Sequence, residues 1–413
     1  MATEPPAVAS RWQDAFRALR YRNFRLYAIG IVVSQSGTWV QSVAQSWLVY
    51  RLTNSEFLLG LTWFFTHIPV LLLSPLGGLA ADRWPRRTIV IVTQSLAMCQ
   101  ALLFAAVTLA GGIALWQVMT LAALLGVINA FDIPGRQSLF VELVGRDDLL
   151  NAISLNSAAF NLARVGGPSL AGLLVAAVGE GWCFFLNGVS FSVVLFCLAA
   201  MRLPSSPRSA VEGPAGSRLL EGFRYAHRTG AIRRLLAMSG AVNLSGAPGI
   251  ALAPFFADGI FHRGSIGYGL LTGALGIGAV AGVLSLARRR GVEGLPRVIV
   301  SSSLLMGAAL VAFAWSPSYW ILLAMMPLIG FGVFRQNASA NTLIQTIVPD
   351  AYRGRVMALY SMMVIGFLPL GSLAAGALAE HIGPRWTVFL GGALCLCATA
   401  VFQLSQPPPS SSR

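Results

Sequence analysis

Apolar residues fill runs of about 20 or more positions along most of this chain of 413 residues, and short polar segments separate the runs. A helix that crosses the hydrocarbon core of a membrane needs about 20 apolar residues, so each run predicts one membrane-spanning helix. The sequence therefore predicts an all-α membrane protein with twelve transmembrane helices. The predicted spans are 24–50, 57–81, 88–110, 115–143, 150–178, 182–203, 233–258, 266–287, 297–315, 319–347, 356–379 and 386–404.

A repeat divides these helices into two sets of six. A shift of 204 positions superposes seven glycines of the first set on glycines of the second: Gly60 on Gly264, Gly78 on Gly282, Gly126 on Gly330, Gly167 on Gly371, Gly172 on Gly376, Gly179 on Gly383 and Gly188 on Gly392. An even number of spans per set predicts a parallel repeat about an axis along the membrane normal. We therefore predict two six-helix halves, at 24–203 and 233–404, around a central cavity.

Three polar segments lie outside the predicted halves. Residues 1–23 alternate arginines with aromatic and aliphatic residues, which is typical of a cytoplasmic segment at the membrane interface. Residues 204–232 are rich in proline, glycine and charge and predict a cytoplasmic linker. The tail 405–413 contains a Pro-Pro-Pro-Ser-Ser-Ser run, which predicts disorder.

Composition agrees with a membrane protein: 56% of the residues are hydrophobic, 11% are charged and the mean hydropathy is +0.70. All 29 basic residues are arginine, and 23 of them fall on one side of the predicted topology. This positive-inside bias sets the topology and predicts that both termini are cytoplasmic. The net charge of +14 therefore reflects topology and does not indicate a nucleic-acid partner. The other arginines are Arg51, Arg263 and Arg385 on the opposite side, and Arg136, Arg164 and Arg335 within spans.

A short basic loop separates the second and third spans, and Gly78 is predicted to end the second helix there. The spacing Gly-x-x-x-Asp-Arg-x-x-Arg-Arg resembles the signature between helices 2 and 3 of the major facilitator superfamily, with Pro85 where that signature usually has glycine. The resemblance implies a conformational role for Gly78, Asp82, Arg83, Arg86 and Arg87. The alternative is an ordinary basic loop of a polytopic membrane protein.

A second motif lies on the fifth span. Gly167-Pro168 followed by Ala171-Gly172 resembles the Gly-Pro-x-x-Gly-Gly signature of antiporters in that superfamily, with alanine in place of the first paired glycine. Small residues at this spacing give a flat helix face for close packing, and the proline bends the helix. The motif is a candidate conformational pivot; the alternative is ordinary tight packing of helices.

A third stretch covers the fourth span and the start of the fifth. It contains the strings Asp132-x-Pro-x-Arg136-Gln and Asn-x-x-x-Phe-Asn161-x-x-Arg164. Together they resemble the superfamily branch that contains the enterobactin exporter and related bacterial secretion transporters. The resemblance implies a secondary transporter of a bacterial inner membrane. The sequence has no phosphate-loop motif and no lysine, which leaves an ion gradient as the expected energy source. The resemblance identifies a branch and leaves the substrate open.

Candidate proton-coupling residues are Asp132, Arg136 and His67. Asp132 and Arg136 are one helical turn apart and can pair, and a charged pair at membrane depth faces a partner or a water-filled cavity. A pair that opens and closes can bind and release a proton. The alternatives are a static latch of Arg136 to Asp82 or loop carbonyls, and a packing role for His67.

Candidate substrate-binding residues centre on two arginines, Arg164 and Arg335, one in each half and without an acid one turn away. Unpaired arginines among amides and aromatics suit a substrate with anionic or phenolic oxygens, which arginine binds bidentately. The alternative is pairing across helices with Asp132, Glu142 or Asp258. The other candidates are Trp39, Gln41, Gln45, Asn156, Asn161, Asn337 and Asn341.

No pattern predicts catalysis, a metal site or a cofactor. The four histidines lack metal-ligand spacing, the five cysteines lie in or beside apolar spans, and no phosphate-loop motif occurs. We therefore expect a monomeric, proton-driven exporter of a small organic molecule, either a siderophore-like metabolite or an amphipathic drug, with lipids and protons as its other partners. The alternatives are a lipid or lysophospholipid translocator, and a transport-inactive receptor whose cavity is filled by side chains.

Overall fold

The computed structural model describes residues 17–145, 148–201, 223–287, 289 and 292–405. The predictions for most of the interfacial segment 1–23, most of the linker 204–232 and most of the tail 405–413 lie outside the described residues. The side chains of Asp82 and Asn161 lie outside them as well.

The described chain is helical nearly throughout and contains no strand in these ranges. The helices are α1 (Arg22–Thr53), α2 (Glu56–Arg83), α3 (Arg86–Leu109), α4 (Leu115–Val144), α5 (Leu149–Val178), α6 (Glu180–Ala200), α7 (Gly230–Ala251), α8 (Gly264–Ala287), α9 (Leu295–Ala314), α10 (Tyr319–Ile347), α11 (Asp350–Ser361), α12 (Phe367–Ile382) and α13 (Pro384–Leu404). A π-helical turn, Met362–Gly366, joins α11 to α12, and a second, Phe255–Ile260, follows α7.

Ten helical segments of the described chain are long and apolar enough to cross a membrane, and α11 and α12 form one of them. The two remaining predicted spans correspond to α1 and α7, which are 32 and 22 residues long and are more polar. Their polar side chains are buried inside the bundle, among them Ser34, Gln41 and Gln45 on α1 and Ser239 and Asn243 on α7. Low hydropathy in these two helices therefore reflects contact with protein.

The helices pack as two groups. Helices α1 to α6 pack mainly on one another, and so do α7 to α13. The principal contacts between the groups are α5 with α8 and α2 with α12. At the first crossing, a Cβ added to Gly172 would lie 2.6 Å from the Ser265 carbonyl oxygen, and one added to Gly269 would lie 2.7 Å from that of Pro168. Glycine is therefore what allows these backbones to touch.

The two ends of the bundle differ in charge and in packing between the groups. We call the end that carries Arg83, Arg86 and Arg87 the basic end, and the opposite end the distal end. Gly60, near the start of α2, backs onto Ser372 and Gly376 of α12 as Gly172 does onto α8. Both glycine crossings lie toward the distal end, where the two groups are closely joined.

Exposed tryptophans mark the distal ends of several helices. Trp315 and Trp386 pack edge to face with their ring centroids 5.1 Å apart. Tryptophan is enriched at membrane–water interfaces, where its ring lies at the level of the lipid headgroups. This belt therefore indicates the distal boundary of the membrane. Its exposed members are Trp116, Trp182, Trp315, Trp320 and Trp386.

Candidate transport site and its closures

A buried ion pair lies on α4. Asp132 is 2% exposed, and its Oδ2 lies 2.6 Å from Arg136 Nε. Its Oδ1 accepts hydrogen bonds from Thr93 Oγ1 at 2.8 Å and from Gln94 Nε2 at 2.9 Å, both on α3. The pairing expected from the spacing is therefore present, and both carboxylate oxygens are engaged. Proton coupling through the pair stays a prediction.

A cavity of about 260 Å³ lies beside this pair, in the half of the bundle nearer the basic end. Residues of α1, α4 and α5 line it, and Arg136 is the charged residue in its wall. Tyr27 faces the same guanidinium group. Asp132 does not line the cavity, so Arg136 stands between the carboxylate and the open space. The polar wall residues are Tyr27, Gln35, Arg136, Gln137 and Asn156.

Arg164, on α5, lies among three aromatic rings. Its Cζ is 5.4 Å from the ring centroid of Trp39 on α1, 5.0 Å from that of Phe160 and 4.3 Å from that of Phe334 on α10. The four residues form the arginine–aromatic cluster. The rings come from both helix groups, so this cluster lies where the groups face each other. Phe160 also lines the cavity, which places the cluster next to it.

Arg335, on α10, is similarly placed against a ring. Its Cζ lies 5.2 Å from the ring centroid of Phe331, and its Nε is buried without a hydrogen-bond partner among the described residues.

The carboxylates considered as alternative partners for these two arginines are engaged elsewhere. Glu142 Oε1 lies 3.4 Å from Arg86 Nη1, Asp132 pairs with Arg136, and Asp258 accepts hydrogen bonds from the Tyr50 hydroxyl and the Gly264 amide. Within the described chain, pairing of Arg164 or Arg335 with these acids is therefore not observed.

Two of the candidate amides lie inside the first helix group. Asn187 Nδ2 donates to Gln41 Oε1 at 2.7 Å, and Gln41 Nε2 donates to Gln100 Oε1 at 3.3 Å, which joins α1, α3 and α6. Gln45 Nε2 donates to Thr66 Oγ1 at 3.4 Å. Because Gln41 is enclosed by these partners, its position favours helix packing over substrate contact.

The candidate amides of α10 are also hydrogen-bonded. Asn337 and Asn243 exchange hydrogen bonds of 3.1 and 3.3 Å across α10 and α7. Asn341 Oδ1 accepts from Gln345 Nε2 at 2.5 Å on the same helix. Asn156 lines the cavity, as stated.

His67 lies on α2 with its ring stacked on Trp63, at a centroid separation of 5.1 Å. Its Nδ1 is 3.0 Å from the Trp63 carbonyl oxygen, to which it donates. These contacts within one helix fit the packing alternative. Among the described residues no carboxylate pairs with His67.

The basic loop is shorter than expected. Helix α2 continues past Gly78 to Arg83, and only Trp84 and Pro85 separate it from α3. The expectation that Gly78 ends the second helix is therefore wrong, because every residue from Gly78 to Trp84 has a backbone N–H and the next proline is Pro85. A Cβ on Gly78 would meet nothing within 4 Å, whereas Gly77 backs onto the Ala130 backbone of α4.

Two arginines beside this loop donate hydrogen bonds to backbone carbonyl oxygens of neighbouring helices. Arg87 donates to the carbonyl oxygens of Leu198 at 3.0 Å and Ala199 at 3.1 Å, which lie in the last turn of α6. Arg86 Nη1 donates to the Ser138 carbonyl oxygen at 3.0 Å. Arg83 is exposed. The loop therefore ties α3 to α4 and α6 at the basic end.

The antiporter-like motif of α5, which runs from Gly167 to Gly172, contacts both helix groups. Gly172 and Pro168 form the α5–α8 crossing described above, and Ala171 is fully buried. A Cβ on Gly167 would lie 2.6 Å from Trp39 Cβ, so this glycine admits Trp39 against α5. The motif thus connects the crossing to the arginine–aromatic cluster.

The structure adds a distal closure that the sequence did not indicate. The Tyr50 hydroxyl donates to Asp258 Oδ2 at 3.1 Å, which joins α1 to the turn after α7. Ser265 Oγ donates to the Gly172 carbonyl oxygen at 3.1 Å, and Trp47 stacks on Tyr268. Apart from Gly172, these residues belong to no motif, and they are far apart in sequence, so only the fold brings them together.

Comparison with known proteins agrees with this architecture. The profile of the family described as transmembrane secretion effector matches residues 13–412. The chain is 25% identical to the staphyloferrin A transporter of Staphylococcus aureus over 371 residues, 89% of this chain and 92% of the relative. It is 26% identical to the multidrug efflux pump Tap of Mycobacterium tuberculosis over 403 residues, 92% of this chain and 93% of the relative.

Solved structures share the fold. The nucleoside transporter NupG superposes with a TM-score of 0.71 at 14% identity, over 92% of this chain and 98% of that one. A bacterial homologue of the iron transporter ferroportin, in an inward-facing state, gives 0.68 at 20% identity, over 93% and 99%.

Proposed function

Because the chain belongs to the transmembrane secretion effector family of major facilitator superfamily transporters, we propose that it exports a small organic molecule from a bacterial cell by proton antiport. The substrate is a siderophore-like metabolite or an amphipathic drug. The names of two relatives, a staphyloferrin A transporter and a multidrug efflux pump, support these two classes.

The proposed architecture is twelve spans in two halves. Its support is that the two crossings between the groups are related by the internal repeat: α5 and α12 carry the superposable pair Gly172 and Gly376, and α2 and α8 carry Gly60 and Gly264. The proposed orientation puts the basic end in the cytoplasm, since arginines accumulate on that side of bacterial membranes. Both termini are then cytoplasmic, and the protein acts as a monomer in the inner membrane.

The difference between the two ends supports transport by alternating access. The cavity lies toward the basic end, whereas the distal end is joined by glycine crossings and by Tyr50 and Asp258. On the proposed orientation this is an inward-facing state, open to the compartment from which an exporter takes its substrate. The transport cycle requires the distal contacts to break and the basic end to close, and the arginines of the α2–α3 loop bias that equilibrium.

The observation that carries the proton step is the ion pair of Asp132 and Arg136 beside the cavity. A carboxylate at this depth is stabilised by its arginine and by two donors on α3. When Arg136 moves toward the cavity, Asp132 loses its counter-charge and takes up a proton. Return of Arg136 releases the proton. The pair thereby couples proton movement to occupancy of the cavity.

The proposal is tested by comparing cells with and without the gene. The assay measures survival and intracellular accumulation across a panel of amphipathic dyes, and secretion of low-molecular-weight iron chelators. Loss of the gene should raise the accumulation of at least one compound, and a protonophore should abolish the difference. A chain that changes none of these quantities, although it reaches the membrane at a normal level, contradicts the proposed export.

A single-cysteine experiment tests the orientation. Single cysteines are introduced into the α2–α3 loop or into the 204–232 linker. In intact cells, these cysteines should not react with an impermeant thiol reagent added from outside. Reaction of either segment from outside would contradict the proposed topology. A cysteine introduced beside Trp116 at the distal end is the control, and it should react with the reagent.

A further inference from the structure

In the part of the chain that the structure describes, the arginine–aromatic cluster holds a positive charge without a carboxylate partner. Trp39, Phe160 and Phe334 present their rings to the Arg164 guanidinium at 4.3 to 5.4 Å. A cation at membrane depth is costly unless it is paired, and aromatic faces compensate only part of the lost hydration. Among the described residues, Asp132, Glu142 and Asp258 are engaged with other groups. Within the described chain, Arg164 therefore has no carboxylate as a counter-charge.

Among the described residues, the charged side chains that line the cavity or directly follow the cluster in sequence are arginines. Arg136 lines the adjacent cavity, and Arg335 follows Phe334 directly on α10. Asp132 has both oxygens occupied and does not line the cavity. A cationic ligand would find no free carboxylate in the described part of this region, whereas an anionic ligand would find Arg164 desolvated and unpaired.

From this geometry we infer that the arginine–aromatic cluster is an anion-selective subsite for an aromatic carboxylate or phenolate. The inference rests on the proposed export function and names the substrate class of that function. Arginine binds anionic oxygens through the N–H groups at the edge of its plane, and aromatic rings stack on its faces. The ligand's oxygens thus approach the guanidinium edge, and its ring packs among Trp39, Phe160 and Phe334.

Gly167 is a positioning residue for this subsite. A Cβ at this position would overlap Trp39 Cβ at 2.6 Å, so glycine keeps the indole ring close to Arg164. The antiporter-like motif therefore contributes to ligand selection through Trp39 as well as to the helix crossing through Gly172.

The test is a charge series on one apolar frame, measured by calorimetry with the full chain in lipid nanodiscs. The ligands are 1-naphthoate, neutral 1-naphthamide and cationic 1-naphthylmethylammonium. The wild type should bind 1-naphthoate about ten- to a hundredfold more tightly than the other two, the range expected for one charge-assisted hydrogen bond. Equal or tighter binding of the cation would overturn the inference.

Variants assign the preference to the cluster. Arg164→Gln should remove the preference for 1-naphthoate. Arg263→Gln is the matched control, because Arg263 also lies against two rings, of Tyr319 and Trp320 at 5.5 and 5.7 Å, but at the distal end. Phe334→Leu keeps the charge and should weaken 1-naphthoate binding several-fold without reversing the order of the ligands. An unchanged preference in Arg164→Gln, or equal losses in Arg164→Gln and Arg263→Gln, overturns the inference.

Failure of this inference is distinguishable from failure of the proposed function. Proton-driven export of an aromatic carboxylate that is unchanged in Arg164→Gln cells overturns the anion subsite and leaves the exporter intact. Arg164-dependent binding of 1-naphthoate by a chain that exports nothing from cells supports the subsite and contradicts the exporter.

Discussion

The Tyr50 hydroxyl donates a hydrogen bond to Asp258 Oδ2 at 3.1 Å and so links α1 to the turn after α7 at the distal end. The same carboxylate accepts the Gly264 amide at the start of α8 at 3.1 Å. Asp258 therefore connects the two helix groups and fixes the entry of α8 at once. Its position next to the α5–α8 crossing makes it part of the closure that must open during transport.

Removal of this contact should favour a distal-open state. A hydrogen bond to a charged group contributes about 1.5–3 kcal/mol, so Tyr50→Phe should shift the open-to-closed ratio by about one to two orders of magnitude. Spin labels in place of Trp182 and Trp386, both exposed at the distal end, report the separation of the groups by pulsed electron resonance. Tyr319→Phe is the control, since its hydroxyl bonds the Gly267 carbonyl within one group. Equal distance distributions in Tyr50→Phe and wild type would refute the role.

The α5–α8 crossing gives a second prediction, with a control on the same helix. Gly172→Ala puts a Cβ 2.6 Å from the Ser265 carbonyl oxygen, and backbone must move to admit it. We expect the distal end to close incompletely and export to fall several-fold. Gly166→Ala should be neutral, because its Cβ would meet nothing within 4 Å. Similar export by the two variants, at matched protein levels, would count against the crossing as a pivot.

The ion pair predicts a separation of uphill from downhill transport. Asp132→Asn mimics the protonated acid, so it should abolish export against a gradient while exchange of substrate down its gradient continues. Glu180→Gln is the control, since Glu180 pairs with Arg51 at the distal end at 2.8 Å. Proteoliposomes with and without an imposed pH gradient distinguish the two modes. Full pH-driven accumulation by Asp132→Asn would mean that another residue carries the proton. Loss of both modes of transport would indicate a structural role for Asp132.

The basic loop predicts a difference between its arginines. Arg87→Gln removes two hydrogen bonds to the end of α6 and should lower thermal stability, by about 1–3 kcal/mol if the guanidinium contacts behave as other charge-assisted bonds do. Arg83→Gln should leave stability unchanged, because Arg83 is exposed. Thermal unfolding of the purified variants measures both. Equal melting temperatures for Arg87→Gln and wild type would contradict the proposed stabilisation of the end of α6 by Arg87.

The conformational role of Asp82 is a separate prediction. Asp82→Asn should reduce transport and leave substrate binding largely intact, because a loop that biases conformational populations does not touch the ligand. Transport and binding are measured on the same preparation. A loss of binding equal to the loss of transport would contradict this role.

Local sequence carried much of the fold and part of the site. The spans and the repeat depend on composition, and the pairing of Asp132 with Arg136 depends on one helical turn. Each can be predicted from the sequence without knowledge of tertiary contacts. Contacts between helices that are distant in sequence cannot be predicted in this way, because they follow no spacing rule. Examples are the contacts of Thr93 and Gln94 with Asp132, of Phe334 with Arg164 and of Asp258 with Tyr50. Gly78 does not end α2 as predicted, because glycine alone need not end a helix.

Everted membrane vesicles test proton-coupled export most directly. Respiration acidifies their interior and quenches acridine orange, and an antiporter that exchanges luminal protons for added substrate restores the fluorescence. For a compound whose export from cells requires this chain, we predict recovery of fluorescence in vesicles with the wild type and none with Asp132→Asn. Accumulation of that compound with no recovery, or unchanged accumulation after nigericin has collapsed the pH gradient, would contradict proton antiport.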